Sequence, residues 1–356
     1  MNNPLHILTV VGARPQFIKA AVVSRAIERY NGNAPPRVLK EDIIHTGQHY
    51  DHGMSRVFFD EMGIPQPAAN LGVGSGSHGA MTATMLAGLE KEMLARRPNL
   101  VLVYGDTNST LAGALAAAKL HVPVAHVEAG MRSYNRRMPE EINRVLTDHV
   151  SELLFCSSDS SRDLLAGEGI TEGVHVVGDV MMDAAMYYRD RAIRPKRTGA
   201  FALCTLHRAE NTDDVERLGT ILSALGASPV PVLFVMHPRT GKMVRRHKIE
   251  VPGIVEVVAP MSYLEMLGHL ENCRFVITDS GGLQKEAYFF GKKCITVRDE
   301  TEWTELVEAG VNRVVGADPD GIAAAFGWAG EALSDPKPIY GTGEAGDKII
   351  RIIAAR

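Results

Sequence analysis

The chain has 356 residues, of which 45% are hydrophobic and 22% charged, an ordinary composition for a globular protein long enough for two domains. Its formal net charge of −4 argues against a nucleic-acid partner and against an anionic membrane surface. The amino terminus lacks a signal segment and no apolar run is long enough to span a membrane, which predicts a cytoplasmic protein with no membrane partner. The four cysteines show no CxxC spacing, so we expect buried thiols and neither a zinc site nor disulfides.

The chain begins with a strand, a glycine turn and a helix. Leu5 to Val11 is an apolar run, followed by Gly12-Ala-Arg-Pro and then by an alanine-rich helical pattern through Ile27. In an α/β domain such a turn aims backbone N–H groups at an anion, and Arg14 and Lys19 would add positive charge. The alternative for Arg14 is an ordinary surface arginine.

A second strand, Asp42 to His45, ends in a polar loop from Thr46 to His52 that contains Gln48 and His49. Its closely spaced histidines suggest a metal site. No spacing there matches an established zinc motif and no cysteine joins them, so we predict that the protein binds no metal.

Glu128 follows another apolar run, in a stretch that is rich in acids and arginines. Val122 to Val127 predicts a short buried strand, which places Glu128 at the carboxyl end, where open α/β sheets bind ligands. A carboxylate in this position is either exposed at a site or paired with Arg132.

Two further carboxylates stand close to predicted helix starts. Leu100 to Tyr104 predicts a buried strand, and Asp106 follows it, either as a helix cap or as part of a ligand-binding rim. Pro139 suits the first position of a helix. Glu140 behind it either stabilises the helix start or takes part in chemistry.

The second half repeats the strand–turn–helix pattern. The arginine-rich segment from Tyr187 to Thr198 predicts a linker. Apolar runs then recur, each followed by a polar turn and a helix, which indicates a second parallel sheet; they are Phe201 to Leu206, Val232 to Met236, Phe275 to Thr278 and Cys294 to Val297. We therefore predict two doubly wound domains, residues 1–186 and 187–344, with a ligand cleft between them.

The turn Asp279-Ser-Gly-Gly at a helix start predicts a phosphate cradle. Glu286, one turn into the helix, is placed to accept both hydroxyls of a ribose. The alternative is a glycine hinge beside a surface carboxylate.

Taken in order, these motifs resemble those of the non-hydrolysing UDP-N-acetylglucosamine 2-epimerases, and the resemblance covers essentially the whole chain. The matching motifs are Gly12-Ala-Arg-Pro, Gly47-Gln-His, Gly105-Asp-Thr, His126-Val-Glu-Ala-Gly, Pro139-Glu-Glu with Asn143-Arg144, His207-Arg208 with Glu210-Asn211, Asp279-Ser-Gly-Gly with Gln284 and Glu286, and Thr301-Glu302. The family implies a GT-B-like fold of two Rossmann-type domains around a cleft. It also implies a homodimer without a metal or cofactor, in which residues 345–356 form a helix that packs back on the first domain.

The resemblance implies a chemistry as well. The family inverts carbon 2 of a UDP-sugar by eliminating UDP to form a glycal and then adding UDP back, which requires acid/base groups on both faces of the sugar. By match, the catalytic residues are Asp106, Glu128, Glu140 and His207. The matched substrate-binding residues are Arg14, Lys19, Gln48, His49, Arg144, Arg208, Asn211, His237, Ser280, Gly281, Gly282, Glu286 and Arg298.

The residues within these motifs favour one branch of the family. Gln16 stands where the family pattern has glutamate, and Ala209 where His-Arg-Arg is common. The motifs look like those of the branch that acts on UDP-2,3-diacetamido-2,3-dideoxyglucuronic acid, for surface polysaccharide such as lipopolysaccharide O-antigen. Arg136 or Arg137 would meet the sugar carboxylate, unless both are surface residues. The alternatives are a UDP-N-acetylglucosamine 2-epimerase and a GT-B glycosyltransferase.

Overall fold

The computed structural model describes residues 3–47, 63, 65–333 and 338–356, and for Arg14 the backbone only. The chain divides into two compact units, Met1–Ala184 together with Ile339–Arg356, and Ala185–Pro338. The division that the sequence suggests, at residues 187 and 345, stays our prediction for the independently folding domains.

Unit 1 is built on a parallel sheet in the order β3-β2-β1-β4-β5-β6-β7. Its strands are β1 (Leu5–Val11), β2 (Leu39–His45), β3 (Ala69–Asn70), β4 (Leu100–Tyr104), β5 (Val124–Ala129), β6 (Leu153–Cys156) and β7 (Val174–Val176). Its helices are α1 (Arg14–Gly32), α2 (His78–Arg96), α3 (Asn108–Lys119), α4 (Pro139–Val150) and α5 (Asp159–Gly167). Helix α6 (Val180–Arg189) runs across the division between the units.

The sheet order fixes where a site can form in unit 1. Strand β1 pairs with β2 on one side and with β4 on the other, so the chain changes winding direction between β1 and β4. Open α/β sheets bind ligands outside the carboxyl ends of their strands at such a switch point. The turns that follow β1 and β4, at Gly12 and Gly105, therefore lie side by side at the expected position.

Unit 2 has a second parallel sheet, in the order β10-β9-β8-β11-β12-β13. Its strands are β8 (Ala202–Thr205), β9 (Val232–Val235), β10 (Val255–Val258), β11 (Phe275–Thr278), β12 (Cys294–Thr296) and β13 (Asn312–Val314). Its helices are α7 (Ala209–Thr212), α8 (Val215–Leu225), α9 (Pro238–His247), α10 (Tyr263–Asn272), α11 (Gly281–Phe289), α12 (Thr304–Glu308) and α13 (Pro319–Ala329). The two parallel sheets confirm the predicted fold class.

Several details differ from the sequence prediction. Helix α6 continues to Arg189, so the first residues of the predicted linker are helical; Tyr188 is buried and holds this last turn in place. Strands β10 and β13 were not predicted, because they lie at sheet edges and are only partly buried, which weakens the apolar pattern. The four cysteines are buried free thiols, as predicted.

None of the described helices combines the length and the apolar character that crossing a membrane would require.

The last helix, α14 (Ala345–Ala354), packs on α1 within unit 1. Gly346 lies so close to α1 that a Cβ there would stand 2.9 Å from a methyl carbon of Val22. Arg29 of α1 donates to the Asp347 carboxylate at 2.7 Å. The carboxylate of Asp183 accepts hydrogen bonds from the amides of Ala345 (3.1 Å) and Gly346 (2.9 Å), which satisfies two N–H groups at the helix start.

The Asp183 contact predicts a pH-dependent stability. Burial raises the pKa of Asp183 to about 6, although the two amides act in the opposite direction. A folded-state pKa above the unfolded value means that this stabilisation is complete at low pH and is lost as the pH rises through about 6. Relative to Asp183→Asn, the wild-type free energy of unfolding should therefore fall by about 3 kcal/mol between about pH 3.5 and pH 7.

Denaturant unfolding of both proteins at the two pH values measures this difference. Asp347→Asn, at the same helix start but on the surface, is the control and should show a smaller change. A difference between wild type and Asp183→Asn that is constant with pH contradicts the prediction.

Candidate active site

The Asp106 side chain lies directly beyond β4 and is 28% exposed. Arg144, which is almost fully buried on α4, donates to its carboxylate at 2.5 Å. The helix cap of α3 is Thr107, whose hydroxyl accepts the amide of Thr110. The capping role considered for Asp106 is therefore wrong, and its carboxylate is held at the carboxyl edge of the sheet with one side open.

Three consecutive backbone carbonyls around Asp106 each accept a hydrogen bond from a side chain of a different element. Gln16 of α1 donates to Tyr104 O at 2.8 Å. His126 of β5 lies 2.7 Å from Gly105 O, and Asn143 of α4 donates to Asp106 O at 2.9 Å. We call these three side chains the carbonyl clamp. Because Gln16, His126 and Asn143 are all buried, the clamp both satisfies the backbone carbonyls of the turn and fixes the position of the turn.

Gln16 also changes the expected anion site after β1. Its Oε1 accepts the amides of Gly12 at 2.8 Å and Ala13 at 3.0 Å, which closes a capping box at the start of α1. Two backbone N–H groups of this turn are therefore already used inside the protein, because a buried glutamine at the third helical position accepts them. The binding of an anion by Arg14 and Lys19 stays a prediction.

Glu128 lies within β5, at a bulge in its pairing with β6. Its φ of +73° is rare for a residue with a side chain, and such strain commonly occurs where a bulge re-aims a side chain beside a site. The carboxylate forms a buried ion pair with Lys19 of α1. A Cβ at Gly105 would lie 3.3 Å from both charged groups, so the glycine there leaves room for the pair.

The alternative partner for Glu128, Arg132, is engaged elsewhere. It binds Glu168 in a bidentate arrangement, at 2.6 and 2.7 Å, and donates to Asp148 at 2.7 Å. Of the two alternatives that the sequence left open for Glu128, the pairing with Arg132 is therefore wrong. The bulge turns Glu128 towards α1, whereas Arg132 lies beyond the strand and points towards α4 and α5.

The two carboxylates at the start of α4 have different surroundings. Glu141 is buried and accepts hydrogen bonds from the Ser133 amide (2.9 Å), the Tyr134 amide (2.9 Å) and Arg144 (3.0 Å), so it holds the preceding loop. Glu140 is half-buried, and within the described ranges no residue forms a hydrogen bond or ion pair with its carboxylate. The first helical turn favours its negative charge. Glu140 is thus the acid of this pair that is available to a ligand.

Asp279 organises the corresponding edge of unit 2. It is fully buried, and its carboxylate accepts the amides of His207 and Arg208 at 3.0 Å and the side-chain amide of Asn211 at 3.1 Å. Burial alone would raise its pKa, but these hydrogen bonds and the His207 ring hold the pKa of Asp279 below its ordinary value. An ionised carboxylate therefore fixes the turn after β8.

The His207 ring is the exposed part of this arrangement. Its Nδ1 lies 3.1 Å from Asp279, and its side chain is 39% exposed. The pair orients the imidazole and leaves Nε2 for a ligand. The His237 ring lies 6.0 Å away, and burial together with the positive charges of His207 and Arg239 lowers the pKa of His237. Two imidazoles thus stand together at the carboxyl ends of β8 and β9.

The Ser280-Gly281-Gly282 turn lies at the start of α11. Ser280 caps the helix by accepting the amide of Leu283, and no described residue accepts the amides of Gly281 and Gly282. A Cβ at Gly281 would stand 2.7 Å from a carboxylate oxygen of Glu302, so a larger residue there would displace that carboxylate. Two backbone N–H groups at the start of a helix, next to a solvent-exposed residue, are well placed to bind a phosphate.

Two of the matched residues in unit 2 are occupied within the protein. Asn211 is fully buried, donates to Asp279 and Val297 O, and accepts from Arg217. These hydrogen bonds position the turn, and the ligand role of Asn211 stays a prediction. Arg298 is buried against Glu302 at 2.7 Å, and its ligand role stays a prediction.

Of the remaining predicted binding residues, some are described by the structure and others are not. Arg208 and Glu286 are half-buried beside the sheet edge of unit 2. Gln48, His49 and the side chain of Arg14 lie outside the described residues. Across the described residues, no three histidine, cysteine or acidic side chains come together as metal ligands would.

The sequence analysis missed Gln16, Asn143, Asp148 and Asp279 as site residues. Asp279 carried the clearest signal, since it stands between a buried strand and the Ser-Gly-Gly turn. The others bind partners far away in the chain, such as Gln16 with Tyr104, 88 residues apart, and no local pattern indicates them.

The two parallel sheets define a fold of the GT-B-like class, with acids at the carboxyl edge of one sheet and a Ser-Gly-Gly turn at a helix start beside the other. The family model for UDP-N-acetylglucosamine 2-epimerases matches residues 34–354, and the chain belongs to this family. It is 49% identical to the UDP-2,3-diacetamido-2,3-dideoxy-D-glucuronate 2-epimerase of Pseudomonas aeruginosa, over 98% of this chain and 99% of that protein.

Solved structures agree with the family. The crystal structure of Methanocaldococcus jannaschii UDP-GlcNAc 2-epimerase in complex with UDP-GlcNAc and UDP superposes with a TM-score of 0.90 at 38% identity, over 99% of this chain and 100% of that chain. A lipopolysaccharide outer core galactosyltransferase shares the fold alone, with 13% identity and a TM-score of 0.58, over 98% and 99% of the two chains.

The buried Lys19–Glu128 pair predicts the effect of removing one charge. Lys19→Met leaves a carboxylate buried without its cation, which should lower the free energy of unfolding by about 3 kcal/mol. Lys19→Met with Glu128→Gln removes both charges and should recover part of the loss.

Lys40→Met is the matched control, because the exposed Lys40 lies 3.7 Å from Asp42 and its loss should cost about 1 kcal/mol or less. Denaturant unfolding of the variants measures the differences. If Lys19→Met lowers the free energy of unfolding no more than Lys40→Met does, the buried pair does not stabilise the protein as predicted.

Proposed function

We propose that this protein is a UDP-sugar 2-epimerase that inverts carbon 2 by eliminating UDP and adding it back. A base removes the proton from carbon 2, the bond between carbon 1 and the UDP oxygen breaks, and a glycal forms. A proton then arrives at carbon 2 on the opposite face while the UDP oxygen adds to carbon 1. The reaction needs two acid/base groups and donors for the departing diphosphate.

We assign the UDP part to unit 2. The open amides of Gly281 and Gly282, at the start of α11, are suited to the diphosphate. His207, oriented through Nδ1 by the ionised Asp279, would donate to the leaving phosphate oxygen, and His237 would add a second imidazole. Glu286 would accept the ribose hydroxyls, and Arg208 would contribute positive charge.

We assign proton transfer at carbon 2 to Asp106 and Glu140. The observation that carries the proposal is the arrangement of Asp106: a partly exposed carboxylate whose turn is fixed by three buried side chains and whose charge is held by Arg144. Fixed geometry is what proton abstraction from a weakly acidic carbon requires. The buried Lys19–Glu128 pair would tune the electrostatic potential beside it.

For the sugar, we propose UDP-2,3-diacetamido-2,3-dideoxyglucuronate, with UDP-N-acetylglucosamine as the alternative. The identity to the Pseudomonas aeruginosa enzyme supports this choice. Arg136 and Arg137 support it as well: both are exposed in the loop before α4, and among the described residues neither side chain has an acidic partner. A sugar carboxylate would give one of them an ion-pair partner close to Glu140.

We further propose that the enzyme is a cytoplasmic homodimer that supplies precursors for a surface polysaccharide such as lipopolysaccharide O-antigen. The family resemblance supports the dimer, and the diacetamido uronate, a nucleotide-activated sugar, supports the biosynthetic role.

Incubation of the enzyme with the UDP-sugar in deuterated water tests the reaction. An epimerase of this kind installs deuterium at carbon 2 without any acceptor present. Asp106→Asn and Glu140→Gln should each slow the incorporation by about a hundredfold or more, because each removes an acid/base group. UDP binding, which belongs to unit 2, should survive in both variants.

Glu172→Gln serves as the control, since this acid of unit 1 is exposed and has no described partner. Turnover without deuterium at carbon 2, or full activity in both site variants, would argue against the assignment.

The sugar assignment is tested with the double variant Arg136→Ala/Arg137→Ala. The KM for the diacetamido uronate should rise about tenfold or more, the value of one charge-assisted contact, whereas the KM for UDP-N-acetylglucosamine should change little. Arg245→Ala/Arg246→Ala, an exposed arginine pair on α9, is the matched control. An equal effect on both substrates would contradict recognition of the carboxylate.

A further inference from the structure

His126 is the member of the carbonyl clamp that carries a titratable group. Its side chain is completely buried in β5. Nε2 lies 2.7 Å from Gly105 O, and Nδ1 lies 2.7 Å from Oδ1 of Asp148 on α4. A backbone carbonyl can only accept, so Nε2 must carry a proton. The state of Nδ1 then depends on whether Asp148 is ionised.

The partners of Asp148 show that it is ionised. Its Oδ2 accepts the amide of Gly130 at 3.1 Å and Arg132 at 2.7 Å. Arg132 is always charged and lies 2.7 Å from this oxygen, which favours the ionised carboxylate. Facing an ionised carboxylate, Nδ1 must also donate.

The other charged or titratable groups around this pair are accounted for. Glu168 is bound to Arg132 in a bidentate arrangement, and His149 lies 3.4 Å from Glu168. Burial, together with the negative charge of Asp148, raises the pKa of the Cys156 thiol to about 12, so the thiol is neutral. Asp148 therefore lies between two buried groups, the His126 ring and the Arg132 guanidinium, whereas the side chain of Glu168 beyond them is 26% exposed.

We propose that His126 is an imidazolium, protonated on both ring nitrogens, that positions Asp106 through the Gly105 carbonyl. It is a positioning residue rather than a catalytic one, and this role rests on the proposed function of Asp106. The same imidazolium ties the turn after β4 to Asp148, which also binds the amide of Gly130 two residues after Glu128. One buried charge thus sets the relative position of two of the proposed catalytic carboxylates.

The protonation state is measured directly by NMR of the full chain labelled with ¹⁵N-histidine, at about pH 8 where an ordinary histidine is neutral. Both ring nitrogens of His126, assigned by their loss in His126→Gln, should carry protons. His6 is the internal control: it faces a single carboxylate, that of Asp42 at 2.9 Å, so one N–H suffices. An unprotonated ring nitrogen in His126 would overturn the proposal.

Asp148→Asn tests the cause. The amide oxygen must accept from Arg132 and Gly130, which turns the NH₂ group towards Nδ1. His126 should then lose one proton and keep Nε2–H on Gly105. If both nitrogens remain protonated in this variant, the carboxylate does not impose the charge and the proposal is wrong.

The positioning role is tested by deuterium incorporation at carbon 2. His126→Leu removes the donor to Gly105 and should lower kcat by about tenfold to a hundredfold, with KM and UDP affinity changed by about twofold or less. His126→Gln returns a donor near the Nε2 position and should recover much of the loss. Activity of His126→Leu within about twofold of wild type would refute the role, and so would a loss in both variants without recovery by glutamine.

The NMR measurement needs no substrate. A protein that exchanges no proton with any UDP-sugar would fail the proposed function while the imidazolium is still observed. A neutral His126 in an active epimerase would fail this inference alone.

Discussion

The carboxyl edges of the two parallel sheets must satisfy buried backbone groups and at the same time leave reactive side chains open. Around Asp106 the solution is the carbonyl clamp, in which α1, β5 and α4 each supply one buried donor to one carbonyl. An unpaired buried carbonyl would cost about 1–3 kcal/mol, so the turn has one favoured position. The chemistry proposed for Asp106 depends on that position.

Unit 2 meets the same requirement with donors and acceptors exchanged. There the buried group is an acceptor, Asp279, which takes the amides of His207 and Arg208 and the side chain of Asn211. The His207 ring is thereby fixed with one nitrogen available. In both units the exposed reactive group is held by residues that are themselves buried, and these supporting residues have no acid/base role in the proposed reaction.

This division between exposed groups and buried supporting residues explains which features could be predicted from the sequence. Strands β4 and β11 have the bounds that the apolar runs predicted, because strands buried on both faces leave a continuous signal. Glu128 was placed near the end of its strand, but its partner Lys19 was not predicted, because a bulge and a positive φ turn its side chain towards α1. Neither feature has a local sequence signature when the residue is glutamate.

The same limit applies to the supporting residues. Asp106 and Glu140 were proposed because one follows a strand pattern and the other opens a helix, whereas His207 was proposed from the family resemblance. Gln16 was noted only as a departure from the family pattern, since the partners of its side-chain NH₂ group lie 88 to 94 residues away. Side chains that hold a turn through long-range contacts become visible only when the sheet order is known.

The central claim is that UDP leaves carbon 1 and returns during each inversion. Positional isotope exchange tests it most directly, with a UDP-sugar that carries ¹⁸O in the bridge between carbon 1 and the β-phosphorus. If the bond breaks and the β-phosphate rotates before UDP adds back, the label moves to non-bridging positions of the β-phosphate at a rate comparable to epimerisation. Inversion of carbon 2 with the label retained entirely in the bridge would contradict the account.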